Sequence, residues 1–217
     1  MEVFDMTTID YLKYLQREIH TTVVATVDED GLPVTCAVDM MDYDESGLYF
    51  LTAKGKRFYD RLVKQGYIAL TGMKGKDTMH SVAISVRGKI EEIGNNMLPQ
   101  LLAKNPYMKK IYPTAESQMA LTVFRLYEGS GEWFDLSKKP IERASFTIGQ
   151  AQSKTERYYV AADECIGCQR CKNVCPQGCI DFRNVSATIQ QEHCLHCGNC
   201  ISVCPAGAVK KCCVELT

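Results

Sequence analysis

The sequence lacks several features that mark common protein classes. No apolar run approaches the roughly 20 residues of a membrane-spanning helix, and the N-terminus has no basic start, since its first residues include Glu2, Asp5 and Asp10. We therefore expect no signal peptide and no membrane partner. The 25 Lys and Arg residues nearly balance the 26 Asp and Glu residues, which gives a formal net charge of −1. The clustered basic excess of a general nucleic-acid-binding protein is thus missing.

Cysteine, in contrast, is abundant, with 12 residues in a chain of 217. Two copies of the pattern C-x2-C-x2-C-x3-C, each followed by proline, lie at a constant offset of 29, the difference between 194 and 165 and between 204 and 175. This spacing is typical of iron–sulfur ligands, in which the fourth cysteine of one copy binds the cluster of the other copy. The first copy is Cys165, Cys168, Cys171 and Cys175, and the second is Cys194, Cys197, Cys200 and Cys204.

Crossed ligation divides these residues into two predicted sets, one for each 4Fe-4S cluster. Zinc sites and disulfide frameworks are the alternatives for paired cysteines. Zinc rarely uses three cysteines at successive x2 spacings, and disulfide frameworks accompany secretion. We therefore predict two clusters and reduced thiols, most simply in the cytoplasm of a cell that protects clusters from oxygen. The sets are Cys165, Cys168, Cys171 with Cys204, and Cys194, Cys197, Cys200 with Cys175.

The four remaining cysteines are not predicted to be ligands. By the offset of 29, Cys179 aligns with Ala208, so it is interpreted as a small packing residue beside a cluster. Cys212 and Cys213 follow the second copy and are predicted to be free thiols on a short tail. Cys36 falls in a predicted strand far upstream.

The segment around the cysteine copies resembles bacterial two-cluster ferredoxins over about residues 156–211. Short apolar stretches such as Tyr158-Tyr159-Val160 and Ile180-Asp181-Phe182 flank the ligands. The resemblance implies a small ferredoxin-like iron–sulfur domain over 156–217, too small to bury a large core, so cluster binding should supply much of its folding free energy. Residues 140–157, which are polar and contain Gly149, predict a connector.

The first 150 residues are poor in cysteine and rich in strand patterns. A helix is predicted after Thr7 and Thr8, and a second one over 56–65, with Phe58, Leu62 and Val63 facing inward and Gly66 ending it. Many short antiparallel strands with few helices predict a mainly β fold with helices, an α+β barrel. Strands are predicted at 21–27, 33–41, 48–52, 67–73, 79–93 and 120–128, and a further helical stretch at 95–105.

One strand-to-helix junction carries an unusual concentration of positive charge. The segment Leu51-Thr52-Ala53-Lys54-Gly55-Lys56-Arg57 ends a predicted strand and begins a helix with three cations. Free amides and cations at a helix start bind anions such as phosphate. A charged turn that only contacts solvent is the alternative interpretation, and the pattern alone leaves both open.

The order of these elements resembles the pyridoxamine-phosphate-oxidase-like FMN-binding split barrels over about residues 5–148. The resemblance implies an antiparallel split β-barrel in residues 1–150, bound FMN and a homodimer. It implies that Thr52, Lys56 and Arg57 hold the FMN phosphate, with Leu51 preceding them on the strand. It also implies that Cys36, Ala37 and Val38 run past the flavin ring, and that Trp133 belongs to a stretch near the flavin of the second subunit.

Three departures from the oxidase bear on the expected reaction. Cys36 stands where the oxidase has an arginine, Phe58 stands where it has a further basic residue, and its closing Arg-Leu-Ala-Pro pattern is absent. Oxidation of pyridoxamine phosphate is therefore not expected. We predict a flavin and iron–sulfur oxidoreductase that reduces a small substrate and exchanges electrons with a redox protein or small-molecule donor. The alternatives are a pure electron carrier and a redox or ligand sensor, and no catalytic residue is assigned.

Overall fold

A computed structural model of the chain describes residues 6–182 and 185–216. The chain forms two compact units. The first comprises the chain up to Lys74, Ala83–Glu132 and Phe146–Ala151, and the second comprises Gly75–Val82, Trp133–Ser145 and the chain from Gln152 onward. In the described part of the chain, no helix is long and apolar enough to cross a membrane.

Seven strands form the main sheet, and six of them close into a barrel. The sheet order is β3-β2-β1-β4-β5-β6-β7, and an additional antiparallel pairing of β3 with β6 closes the ring, with β7 as an extra strand. The predicted barrel and the mainly β fold class are thereby confirmed. The strands are β1 (Thr21–Val27), β2 (Pro33–Asp44), β3 (Gly47–Ala53), β4 (Tyr67–Gly75), β5 (Ser81–Gly94), β6 (Leu121–Asp135) and β7 (Glu142–Ile148).

The hairpin of β1 and β2 shows why the sequence folds this way. Alternate residues of β1 are buried, and Val24 pairs with Cys36 across the hairpin. The turn is fixed by Asp28, whose Oδ1 accepts hydrogen bonds from the backbone amides of Asp30 and Leu32 at 3.0 and 2.9 Å. Gly31 supplies the positive φ of 80° that the turn needs. The predicted hairpin at this position is confirmed.

The first helix begins at a capping box and ends at a strained residue. Helix α1 (Thr8–Tyr14) starts after Thr7, whose side chain caps the amide of Asp10 while the Asp10 carboxylate accepts from the Thr7 amide. The helix continues as a π-helical segment over Leu15–Ile19 and stops at His20, which has a φ of 63°. A π-helical turn of this kind is rare in proteins.

Helix α2 (Arg57–Gln65) follows β3 and ends at Gly66, as predicted, where φ is 61°. Phe58 and Leu62 are buried on its inner face. The prediction that Val63 faces inward is wrong, because its side chain is 55% exposed. Val63 follows Leu62 directly, so it lies about 100° further around the helix, away from the barrel.

Three short helices lie between β5 and β6 in the chain. Helix α3 (Leu98–Lys104) lies within the predicted helical stretch, and α4 (Met108–Ile111) and α5 (Ala115–Gln118) follow it. Leu98, Leu101 and Leu102 of α3 pack in one apolar cluster with Met41 and Tyr49 of the barrel. This cluster buries the apolar face of α3 and thereby stabilises the helix.

The second unit contains a two-stranded ribbon and two short helices. Strand β8 (Ser153–Val160) pairs with β11 (Val209–Leu216) along its whole length, and β9 (Ile180–Asp181) pairs with β10 (Thr188–Ile189). Helices α6 (Arg170–Asn173) and α7 (Asn199–Ser202) lie within the cysteine copies.

This ribbon corrects two predictions made from the sequence. The polar stretch 140–157 is not a connector, because it contains β7 and the first half of β8. Cys212 and Cys213 do not lie on a tail, because they pair with Arg157 and Glu156 in the ribbon. The backbone amides and carbonyls of these polar residues are satisfied by a partner strand about fifty to sixty residues away. Local residue types carry no sign of such a partner, so the sequence did not predict the ribbon.

Candidate functional site

The eight cysteines of the repeat lie around two separate cavities of the second unit. One cavity is lined by Cys165, Cys168, Cys171 and Cys204. The other is lined by Cys175, Cys194, Cys197 and Cys200. The structure therefore brings the thiols together in the two crossed sets that the motif predicts, while their ligation of iron stays a prediction.

The two cysteine copies also share one backbone conformation. Gly167 and His196, which differ by the offset of 29, have φ values of 66° and 55°. Gln169 and Gly198 have φ values of 61° and 79° at the next equivalent position, directly before α6 and α7. Left-handed residues at these two points bend each copy around its thiols. Gln169 and His196 are not glycine, and residues of their type rarely adopt a positive φ.

Backbone amides point at the cysteine sulfurs. The His196 amide donates to Cys194 Sγ at 3.4 Å. Burial raises the pKa of Cys204, but hydrogen bonds from the amides of residues 206–209 outweigh it and lower the pKa of this thiol. A thiolate is the form that binds metal.

The groups that line the two cavities are of the kinds that bind iron–sulfur clusters. Apolar side chains complete each wall, among them Val160, Ile166 and Phe182 in the first cavity and Ile180 and Ile189 in the second. Cysteine thiolates, amide donors to sulfur and an apolar surround are the features that hold and tune such clusters. Among residues 6–182 and 185–216, no three His, Cys, Asp or Glu side chains converge tightly enough to hold a single metal ion.

Cys179 lies in the second cavity together with the predicted ligands. Its Sγ is 3.4 Å from Cys175 Sγ, and its side chain is only 2% exposed. A hydrogen bond from Cys179 is the largest of the effects on Cys194 and lowers the pKa of that thiol to about 6. The same contact raises the pKa of Cys179, which keeps it protonated. Ala208, its equivalent in the repeat, lines the first cavity.

A second candidate site lies in the barrel, where β3 ends and α2 begins. Thr52 is buried on β3 opposite Thr122 of β6. Its Oγ1 atom is buried and has no hydrogen-bond partner within the described residues. The side chains of Lys56 and Arg57, at the start of α2, are exposed.

Arg61 belongs to the same site and was missed from the sequence. Burial raises the pKa of the Cys36 thiol, while the nearby charges of Arg61 and Lys56 oppose this. Arg61 Nε donates to Thr26 Oγ1 at 2.8 Å, which orients the guanidinium. Since Arg61 lies one helical turn after Arg57, the i, i+4 spacing was a signal that could have found it.

These barrel residues fit the phosphate of a flavin nucleotide. A buried hydroxyl without a partner costs about 1–3 kcal/mol unless a ligand satisfies it, and Thr52 Oγ1 is such an atom. The amides and cations at the start of α2 complement an anion.

The other predicted cofactor contacts differ in exposure. On β2, Ala37 is exposed and Val38 is buried, and Leu51 on β3 is half-buried. Trp133 lies in the second unit, on β6, and is 7% exposed. His80, outside these predicted contacts, is exposed and pairs with Asp77 at 2.7 Å.

Comparisons of the sequence with protein families divide the chain into two parts. Residues 10–135, more than half of the chain, match the family described as "Pyridoxamine 5'-phosphate oxidase". Residues 146–208 match the family described as "4Fe-4S dicluster domain". No curated protein matches the chain significantly.

Solved structures share the barrel fold. A NimC/NimA family protein of Clostridium acetobutylicum is 17% identical, with a TM-score of 0.52 over 64% of this chain and 89% of that protein. A heme binding protein of Mycobacterium smegmatis is 13% identical, with a TM-score of 0.50 over 67% of this chain and 60% of that protein. A conserved hypothetical protein of Mycobacterium tuberculosis is 14% identical, with a TM-score of 0.50 over 63% of this chain and 91% of that protein. At these identities the likeness shows the fold alone.

Proposed function

The chain belongs to the pyridoxamine 5'-phosphate oxidase family, and we propose that it is an oxidoreductase that passes electrons between two 4Fe-4S clusters and FMN to reduce a small substrate. The observation that carries this proposal is the combination, in one chain, of two cavities that each contain four predicted cluster ligands and a buried, unpartnered Thr52 hydroxyl beside the cations that start α2. Clusters supply single electrons, and a flavin can collect them into the pair that reduces a substrate.

The cysteines hold and tune the clusters in this proposal. Cys165, Cys168 and Cys171 hold one cluster with Cys204, and the set of Cys175, Cys194, Cys197 and Cys200 holds the other. The amides of His196 and residues 206–209 stabilise negative charge on the sulfurs. Such hydrogen bonds raise the potential at which a cluster accepts an electron.

The barrel residues bind and orient the flavin nucleotide. Thr52, Lys56 and Arg57 hold the phosphate, and Arg61 adds a fourth polar contact near Cys36. Cys36, Ala37, Val38, Leu51 and Trp133 are the proposed contacts of the ring system. Because Cys36 replaces an arginine of the oxidase, the substrate is proposed to be a small molecule other than pyridoxamine phosphate.

The family resemblance and the cysteines also support proposals for the oligomeric state, the redox partner and the cellular compartment. We propose a homodimer, as the resemblance to split barrels implies, that exchanges electrons with a redox protein or a small donor. Its 12 cysteines form no disulfide, which suits the reducing cytoplasm. A sedimentation measurement of the native mass tests the dimer.

Anaerobic purification followed by assays of iron, acid-labile sulfide and flavin tests the cofactors. We expect about eight iron atoms and about eight sulfides per chain, as two 4Fe-4S clusters require, and one FMN. A colourless preparation loaded with zinc, from iron-replete anaerobic cells, would contradict the proposal.

A second assay separates the enzyme from the electron carrier. The reduced protein is mixed with small acceptors in the presence of excess reductant. Continuous consumption of reductant, dependent on both the clusters and FMN, would support an enzyme with a small-molecule substrate. Oxidation only by partner proteins would support the carrier.

A further inference from the structure

The position four residues after the last cysteine of each copy has the same backbone surroundings in both copies. Cys179 and Ala208 occupy this position, and both are buried, at 2% and 1% exposure. Each follows a glycine with a positive φ, 62° at Gly178 and 63° at Gly207. Cys179 lines the second cysteine cavity, and Ala208 lines the first. The two side chains therefore stand in equivalent places, one beside each predicted cluster.

The backbone hydrogen bonds at these two positions are equivalent as well. The Cys179 carbonyl accepts from the Gln190 amide at 2.8 Å, and the Ala208 carbonyl accepts from the Ala161 amide at 2.8 Å. The two donors again differ by the offset of 29 that relates the copies. At this position, the two cavities thus differ by one thiol group.

The Cys179 thiol contacts two members of the second predicted ligand set. Its Sγ is 3.4 Å from Cys175 Sγ, and it also hydrogen-bonds the Cys194 thiol. Cysteines bind metal as thiolates, so Cys179 is the one thiol of these three that keeps a hydrogen when the set is occupied. Cys175 and Cys194 belong to the same set, so the acceptor is a ligand of the same cluster in either case.

We propose that Cys179 donates a hydrogen bond to the ligand sulfurs of the second set and thereby raises the reduction potential of the cluster held there. A donor stabilises negative charge on the sulfurs, and the reduced cluster has one more negative charge than the oxidised cluster, so the donor favours the reduced form. Ala208 offers no such donor to the first cluster. The inference rests on the proposed function, because it requires both clusters.

A donor beside only one cluster affects where an electron resides. In the exchange between the clusters, one electron leaves the reduced first cluster, which is oxidised, and enters the second cluster, which is reduced. No bond or proton changes in this step. The hydrogen bond from Cys179 shifts the equilibrium of this exchange toward the reduced second cluster.

A redox titration of the anaerobic, cluster-loaded protein, followed by the EPR signals of the reduced clusters, tests this role. Cys179→Ala should lower one of the two midpoint potentials and leave the other unchanged. We expect the reduced-to-oxidised ratio of that cluster, at a fixed solution potential, to fall about threefold or more. At about 59 mV per tenfold change for a one-electron couple, this is a shift of about 28 mV or more.

Cys179→Ser separates the hydrogen bond from packing, because serine keeps a donor in nearly the same volume. It should restore most of the potential lost in Cys179→Ala. Ala208→Ser is the reciprocal variant, since it places a donor beside the first cluster, and it should raise the other midpoint potential. Cys213→Ala, which removes an exposed thiol from the same unit, is the control and should leave both midpoint potentials unchanged.

Iron content of about eight atoms per chain in each variant verifies that both clusters are present. With both clusters retained, equal midpoint potentials in wild type and Cys179→Ala would overturn the inference. A loss in Cys179→Ser as large as that in Cys179→Ala would also overturn it, because a donor would then make no difference. Loss of a cluster from Cys179→Ala would overturn it by showing that Cys179 is a ligand. Absence of clusters from wild type would instead contradict the proposed function.

Discussion

The sulfur atoms of Cys175 and Cys179 lie 3.4 Å apart in the cavity that also contains Cys194. Both thiols could therefore reach one cluster, but the repeat separates their roles. Cys204, the equivalent of Cys175, lines the first cavity as a thiol, whereas the equivalent of Cys179 in that cavity is Ala208. The first cavity has a complete set of four predicted ligands with alanine at this position. The second cavity therefore has a complete set without Cys179.

The first prediction follows for iron content. Cys204→Ala should remove the cluster of Cys165, Cys168 and Cys171 and lower the iron content from about eight to about four per chain. Cys179→Ala should keep both clusters, because it removes a packing thiol and no ligand. Iron and sulfide assays on anaerobic preparations provide the measurement. Loss of a cluster in the Cys179 variant with retention in the Cys204 variant would show that the assignment is wrong.

The second prediction concerns the charge that holds the FMN phosphate. Arg57→Ala should cost about 1.5–3 kcal/mol of binding free energy, as a charge-assisted hydrogen bond does, and weaken FMN by one to two orders of magnitude. Lys64→Ala, which removes an exposed cation from the last turn of the same helix, is the control and should bind FMN normally. Fluorescence titration of the apoprotein gives both affinities.

Riboflavin provides the chemical counterpart of that variant, since it lacks the phosphate. Wild type should bind riboflavin poorly, and Arg57→Ala should hardly change its affinity. Equal affinities of wild type for riboflavin and FMN would mean that the barrel binds no phosphate at this junction.

The third prediction uses the buried hydroxyl of Thr52. Because Thr52 Oγ1 has no partner among the described residues, Thr52→Val should leave the stability of the flavin-free protein unchanged or raise it. The same variant should lose FMN affinity by about 1–3 kcal/mol, as expected when a hydrogen bond to a charged group is lost. Urea unfolding and FMN titration measure the two effects.

Thr122 offers a matched control for Thr52, since the two residues pair across β3 and β6. Thr122 Oγ1 donates to Glu92 at 2.6 Å, so Thr122→Val should lower the stability of the flavin-free protein. A Thr52→Val variant that is destabilised as much as Thr122→Val, with normal FMN affinity, would exclude the proposed role of the hydroxyl.

Local signals in the sequence predicted most of the barrel and the cysteine sets. The helix stop at Gly66 and the turn at Asp28 involve residues a few positions apart, so propensity and capping suffice. The pairing of β8 with β11 joins residues about fifty to sixty positions apart, and polar strand residues gave no local sign of it. Arg61 could have been found from helical spacing, whereas the contact of Cys179 with Cys194 depends on how the two copies pack.

The fourth prediction concerns a half-buried hydrogen-bond network in the first unit. Tyr107 Oη donates to Asp39 Oδ2 at 2.6 Å and lies 2.9 Å from His20 Nε2. Burial and the bond to Asp39 raise the pKa of Tyr107, so it stays a neutral donor. Tyr107→Phe should lower the free energy of unfolding by about 1.5–3 kcal/mol, as expected for a hydrogen bond to a carboxylate.

Urea unfolding followed by circular dichroism measures the effect, with Tyr67→Phe as the control. Tyr67 is 46% exposed, so loss of its hydroxyl should leave the unfolding midpoint unchanged. Equal midpoints for the two variants would show that the network does not stabilise the barrel.

The last prediction concerns removal of iron. Among the residues that the structure describes, the apolar cluster around the cysteines of the second unit contains nine buried residues, and Cys171, Cys179, Cys194 and Cys200 are four of them. A core with so few large apolar side chains buries little area, so cluster binding should supply much of its stability. Anaerobic chelation of iron should therefore unfold this unit while the barrel, with its own core of Phe50, Phe124 and Leu48, stays folded.

Hydrogen–deuterium exchange resolved by peptide measures the effect of chelation. Amides of β8 and β11 should lose their protection when iron is removed, whereas amides of β1 and β3 in the same sample should keep theirs and serve as the internal control. Retained protection in β8 and β11 after complete iron loss would mean that the ribbon and its apolar contacts fold without clusters. The cysteines would then contribute to this unit as packing residues, and the clusters would add redox chemistry but little stability.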